Sequence, residues 1–139
     1  MHIFLQLLST PESARFLIRM LIPAFMAILF IQSGLDKVFD FKGNLDYYKS
    51  HFKNTFLAST VTLLTCVLTF LEVVAGFLCA IGTVVLYFGN PTWAFYGLVV
   101  CAIDFLSLFF GQRVAKDYGG AVTIATYFIL NITGLLLLI

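Results

Sequence analysis

The stretch LASTVTLLTCVLTFLEVVAGFLCAIGTVVL, residues 57–86, carries a single charge, Glu72. A helix that crosses the hydrocarbon core of a bilayer needs roughly 20 mostly apolar residues. This block exceeds that length, and its polar residues other than Glu72 are Ser and Thr, which a helix in lipid accommodates. Three further blocks read the same way, at about residues 16–35, 92–110 and 121–139. The sequence therefore predicts an all-α integral membrane four-helix bundle, one transmembrane domain covering residues 1–139.

The composition agrees. Of 139 residues, 61% are hydrophobic and 11% charged, whereas soluble domains carry about 25% charged residues. The four blocks nearly use up the length and leave no room for a soluble domain. A net charge of +1 without a basic cluster gives no footing for nucleic acid. The 16 Phe, 6 Tyr and 1 Trp suit lipid-facing and interfacial positions. The first fifteen residues lack a basic region, and no small-residue cleavage site follows the first span, so no removable signal peptide is expected.

Between the spans the signals are local. Residues 1–8 are apolar but too short to cross, and are expected at the interface. Ser9-Thr10-Pro11-Glu12 is a helix start: a hydroxyl cap, Pro at the first helical position and an acidic first turn. Pro23 inside span one is expected to kink it. Residues 36–56 are the most polar part. There Lys37, Lys42, Lys49 and Lys53 interleave with Phe41, Leu45, Tyr48, Phe52 and Phe56. The apolar spacing is that of one helical face, which predicts an amphipathic interfacial helix at about 44–55; a partner-docking surface is the alternative. Gly89-Asn90-Pro91 predicts a turn with Asn90 as cap and Pro91 at the first helical position. Residues 111–120 form a short basic connection. The two connections that follow spans one and three hold six of the eight basic residues. The positive-inside rule then places them in the cytoplasm and both termini outside.

Ionisable residues inside spans are functional candidates. With about 1.5 Å of rise per residue, Glu72, Asp104 and Asn131 are expected at similar depth near the midplane. Arg19 is placed about 5 Å in from the start of span one, and is the cation expected to reach towards Glu72. Two readings stand. One is a structural clamp in which a neutral Glu72 hydrogen-bonds Asn131, Thr69 or Tyr127. The other is a site for a proton, an ion or the polar head of a small molecule such as a quinone. Gly76 with Ala80, and Ala75 with Cys79, are small pairs that let a neighbouring helix approach; Gly82, Gly97 and Gly134 can serve similarly.

No cofactor is expected, although contact with quinone or lipid is open. His2 and His51 lie outside the spans, which excludes bis-histidine haem within the bundle. No phosphate-binding or clustered metal motif is present, and Asp36, Asp40 and Asp46 are too irregular for a calcium loop. Cys66, Cys79 and Cys101 form no C-x-x-C and are expected as buried small hydrophobes, not a dithiol centre.

Span one ends in Gln32-Ser33-Gly34-Leu35-Asp36-Lys37, span two carries Glu72-Val73-Val74-Ala75-Gly76, and Arg19 precedes the body of span one. In order and spacing these motifs resemble the DoxX family of small four-helix bacterial membrane proteins, over most of the chain from about Arg15. The resemblance implies Arg19, Gly34, Lys37, Glu72 and Gly76 as family positions and a multi-pass place in the bacterial inner membrane. Some relatives in that family are membrane subunits of thiosulfate:quinone oxidoreductase. Others belong to redox or stress-related assemblies, and many have no assigned activity. The wider group includes relatives of thiol-redox membrane enzymes, and the missing C-x-x-C argues against that activity.

Three functions are thus expected as alternatives. The first is an accessory subunit of a larger inner-membrane complex, respiratory or redox, with lipids and other membrane subunits as partners. The second is a stand-alone binder or transporter of a small molecule or proton centred on Glu72 and Asp104. The third is the membrane subunit of a quinone-linked oxidoreductase.

Overall fold

The computed structural model describes residues 1–7 and 9–139, with Phe4 and Leu7 described in backbone only. The helices are α1 (His2–Leu7), α2 (Pro11–Phe39), α3 (Phe41–His51), α4 (Val61–Tyr87), α5 (Thr92–Val114) and α6 (Tyr118–Leu138), with a single 3₁₀ turn at Ala58–Thr60 before α4. Among the described residues, four helices are long and apolar enough to cross a membrane: α2, α4 with its 3₁₀ turn, α5 and α6. They form an antiparallel bundle in which α2 packs on α4 and α6, and α5 closes the ring between α4 and α6.

The helices run where the sequence puts them, with shifted ends. The helix of span one starts at the expected hydroxyl cap, Thr10, and runs on to Phe39, past the expected end of the apolar block. The Thr10 hydroxyl accepts the Ser13 N–H at 3.1 Å, Pro11 follows, and Glu12 lies in the first turn. The helix continues through Pro23, whose ring is buried. The interfacial helix begins earlier than expected, because Asp40 caps it by accepting the Gly43 N–H at 3.3 Å. It ends at His51 rather than near Thr55. At the α4–α5 turn Asn90 accepts the Thr92 N–H at 3.1 Å, so α5 starts one residue after Pro91. The connection expected at 111–120 shrinks to residues 115–117, since α5 runs on to Val114. Ser9 makes its own bond to the Gln6 carbonyl, and Leu8 lies outside the described residues.

The packing is inside-out relative to a soluble bundle. Outward positions are large and apolar at helical spacing: Leu21, Phe25 and Ile28 on α2, Phe77, Ile81 and Val84 on α4. Ile103, Leu106 and Phe110 on α5 continue the pattern. Such a surface is satisfied by lipid and not by water. Inside lie Ile22, Met26, Phe30, Leu98 and Phe105 with the small residues Ala75, Cys79 and Cys101. The small residues bring backbones together. A Cβ on Gly34 would stand 3.1 Å from the backbone nitrogen of Val73, and one on Gly76 would stand 2.7 Å from that of Ile31. These two contacts are reciprocal, and they fix the register of α2 against α4.

α3 folds across the end of the bundle where α2 stops and α4 starts. His51 Nε2 lies 2.8 Å from Gln112 Oε1 and 3.9 Å from Asp117 Oδ2, which ties α3 to the α5–α6 turn. Lys42, Lys49, Lys53, Arg113 and Lys116 therefore gather at this one end.

The Gly34–Gly76 contact carries a prediction. Gly76→Leu forces α2 away from α4, because the new side chain meets the backbone of Ile31 as well as its side chain. The expected cost is about 1–3 kcal/mol, read as a lowered thermal midpoint of the purified protein in detergent. Ala80→Leu, one turn along at a half-buried position, is expected to cost less.

Candidate functional site: a buried charge cluster

The register fixed by Gly34 and Gly76 sets Lys37 against Glu72. Their Nζ and Oε2 are 2.9 Å apart, with side chains only 7% and 3% exposed. Ser33, one turn before Lys37, joins both. The Lys37 ammonium donates to the Ser33 hydroxyl at 3.0 Å, and that hydroxyl donates to Glu72 Oε2 at 3.2 Å. The triangle is closed and buried, with the hydrogen-bonding capacity of both charges engaged, which is the condition under which two buried charges hold together.

Two further groups face it. Tyr48 reaches in from α3 towards Lys37. Burial pushes its phenol above the ordinary range; Lys37 opposes that rise and Glu72 adds to it. From α5, Asp104 stands within electrostatic reach of Glu72 and Lys37. It is fully buried, and neither carboxylate oxygen has a hydrogen-bond partner. Five side chains from α2, α3, α4 and α5 thus converge, with two carboxylates and one ammonium.

Glu72 and Asp104 come together as expected from depth. Arg19 and Asn131 do not join them. Arg19 lies 18 residues before Lys37 on α2, about 27 Å along the axis, at the opposite end of the bundle. Its half-buried side chain leaves Nε without a partner, and the cation paired with Glu72 is Lys37. Asn131 is buried and donates through Nδ2 to the Leu98 carbonyl at 2.9 Å. Leu98 is six residues from Asp104, about 9 Å along α5, so Asn131 clamps α6 to α5 above the cluster. Thr69, expected as a partner of Glu72, donates instead to the Thr65 carbonyl.

The sequence reading missed Ser33 and Tyr48 as site residues. The signal for Ser33 is its i, i+4 spacing to Lys37 at the end of a span. Tyr48 carries no local signal, because its role depends on how α3 folds back. The cysteines also divide. Cys66 is exposed on α4, contrary to expectation, while Cys79 and Cys101 are buried with their sulfurs 3.6 Å apart across the α4–α5 seam.

Comparison of the chain with protein-family models, with curated proteins and with solved structures finds no match.

A double-mutant cycle tests the ion pair. Lys37→Met leaves Glu72 buried opposite a second carboxylate, and Glu72→Gln leaves the ammonium without its counter-ion. Each single change is expected to cost about 3–5 kcal/mol. The double change should cost clearly less than the sum, read from reversible unfolding in mixed micelles.

Proposed function

We propose that this chain is a multi-pass protein of the bacterial inner membrane, and that its bundle holds a proton-exchanging site for a small amphipathic molecule. The observation that carries the reading is Asp104. An ionised carboxylate in the middle of an apolar bundle, with no hydrogen bond to either oxygen, costs several kcal/mol. The one nearby cation, Lys37, is already engaged by Glu72 and Ser33. Asp104 therefore holds a proton in the resting bundle and gives it up when something else balances its charge.

Gly34, Lys37, Glu72 and Gly76, four of the five residues behind the DoxX resemblance, converge on this cluster, which supports a shared site as the meaning of that resemblance. The basic end formed by α3 and the α5–α6 turn is the cytoplasmic end by the positive-inside rule. An accessory-subunit role is expected from the small extramembrane mass, the lipid-facing composition and the lack of a catalytic constellation; the buried cluster around Glu72 and Asp104 favours the binding alternative instead. The outward apolar faces suit lipid as well as a neighbouring subunit, so they favour neither.

The reading is tested by infrared spectroscopy of the purified protein in lipid. Wild type is expected to show the C=O stretch of a protonated carboxylic acid at neutral pH, downshifted in D₂O and declining as pH rises. Asp104→Asn should remove that band, and Glu12→Gln, at an exposed position, should keep it. A band that survives Asp104→Asn, or its absence from wild type, overturns the reading.

A further inference from the structure

Below the cluster the α4–α5 seam opens. A cavity of about 660 Å³ lies between α3, α4 and α5, a volume typical of small-molecule sites. Its α4 wall includes Val61, Thr65 and Leu68, and its α5 wall includes Leu108 and Gly111. Leu68, Thr65 and Val61 precede Glu72 by one, two and three helical turns. Leu108 and Gly111 follow Asp104 by one and two. Residues at this spacing share a helix face. The cavity is therefore the continuation of the seam that carries both carboxylates, and its inner end lies about 5–6 Å, one turn, from them. Tyr48 lines the cavity and also faces Lys37, so it stands between cavity and cluster. Tyr47 and Phe52 add aromatic rings to the wall, and the outward-facing Leu106 and Phe110 form the mouth through which the cavity opens to the lipid side.

Charge selects the occupant. The groups facing Asp104 are Lys37 from α2, Glu72 from α4 and Cys101 on its own helix; Tyr48 from α3 faces Lys37 and Glu72 instead. α6 has no charged residue. With Asp104 ionised the cluster carries two negative charges against one positive. An anionic head entering from the cavity cannot balance an ionised Asp104, and a neutral head leaves Asp104 with no reason to release its proton. A cation balances the excess carboxylate.

We propose that the cavity takes a lipophilic cation, an organic amine or onium ion. Its apolar body lies between α3, α4 and α5 and its charge sits beside Asp104, in exchange for the Asp104 proton. The inference rests on the reading of Asp104 as the proton-holding group. The step balances simply: one cation enters, the O–H bond of Asp104 breaks, and one proton leaves to water. No other bond changes.

The experiment uses the full chain in phosphatidylcholine nanodiscs with tetraphenylphosphonium as the probe. Exchange of one proton per cation requires the apparent Kd to fall about tenfold per pH unit while Asp104 remains protonated. It also requires about one proton released per cation bound in weakly buffered solution. Asp104→Asn should weaken binding at least about tenfold and abolish its pH dependence. Leu68→Trp, which fills the cavity, should abolish binding while keeping the infrared band of the protonated acid, so loss of binding there is not loss of the cluster. Tetraphenylborate, of the same shape and opposite charge, should not compete. Binding of the anion as tight as the cation's overturns the proposal. So does pH-independent cation binding, or pH-independent binding of a short-chain quinone in place of the cation. Failure of cation binding with the infrared band present sinks this inference alone; absence of the band sinks the reading beneath it.

Discussion

The Lys37–Glu72 ion pair is the constraint around which the bundle is arranged. Two opposite charges in a dry interior hold together only at close range and with their remaining hydrogen-bonding capacity used. The 2.9 Å separation and the Ser33 bridge meet both conditions. The pair needs α2 and α4 unusually close at one level, and Gly34 and Gly76 provide that by removing a Cβ from each side. Gly34 lies one turn before Lys37, and Gly76 one turn after Glu72. The glycine contact and the ion pair therefore enforce the same register, one by shape and the other by charge. Slippage by one turn would break both.

The spans were legible because lipid imposes a simple compositional rule, and 57–86 obeys it over its full length. Glu72 and Asp104 were legible as a pair because antiparallel helices of known rise convert sequence position into depth. Depth gives no azimuth and no neighbour, and that is where the reading of Arg19 and Asn131 failed. Composition offers Arg19 as the cation inside a span, and places Lys37 among the interfacial lysines with Lys42, Lys49 and Lys53; only the family resemblance singles Lys37 out, and it names no partner. What distinguishes Lys37 is that α2 continues to Phe39, which turns its side chain inward. That extension depends on the Asp40 cap and the fold-back of α3. Those are tertiary facts that a hydropathy profile does not contain.

Cys79 and Cys101 show the same limit from another side. Each reads alone as a small apolar residue, and each is buried. Their 3.6 Å approach follows from the tightness of the α4–α5 seam, where a Cβ on Gly97 would stand 2.9 Å from the Cys79 backbone nitrogen. No spacing within the sequence announces a contact between residues 22 apart on two helices.

That seam also gives the molecule its polarity. From Gly82 against Ala94, through Gly97 against Cys79, to Cys79 against Cys101, α4 and α5 meet through small residues with no space between them. At Glu72 and Asp104 the seam becomes charged. One turn further, at Leu68 and Leu108, it opens into the cavity roofed by Tyr48. A ligand of the kind proposed would reach Asp104 along this seam from the α3 end, because at the other end Gly82 and Gly97 bring the two helix backbones together. The lysines of α3 sit on the helix face opposite Tyr47 and Tyr48, so they anchor α3 at the interface while the tyrosines cover the opening. An amphipathic helix that would otherwise only rest on the membrane surface is thereby also one wall of the cavity that leads towards the charge cluster.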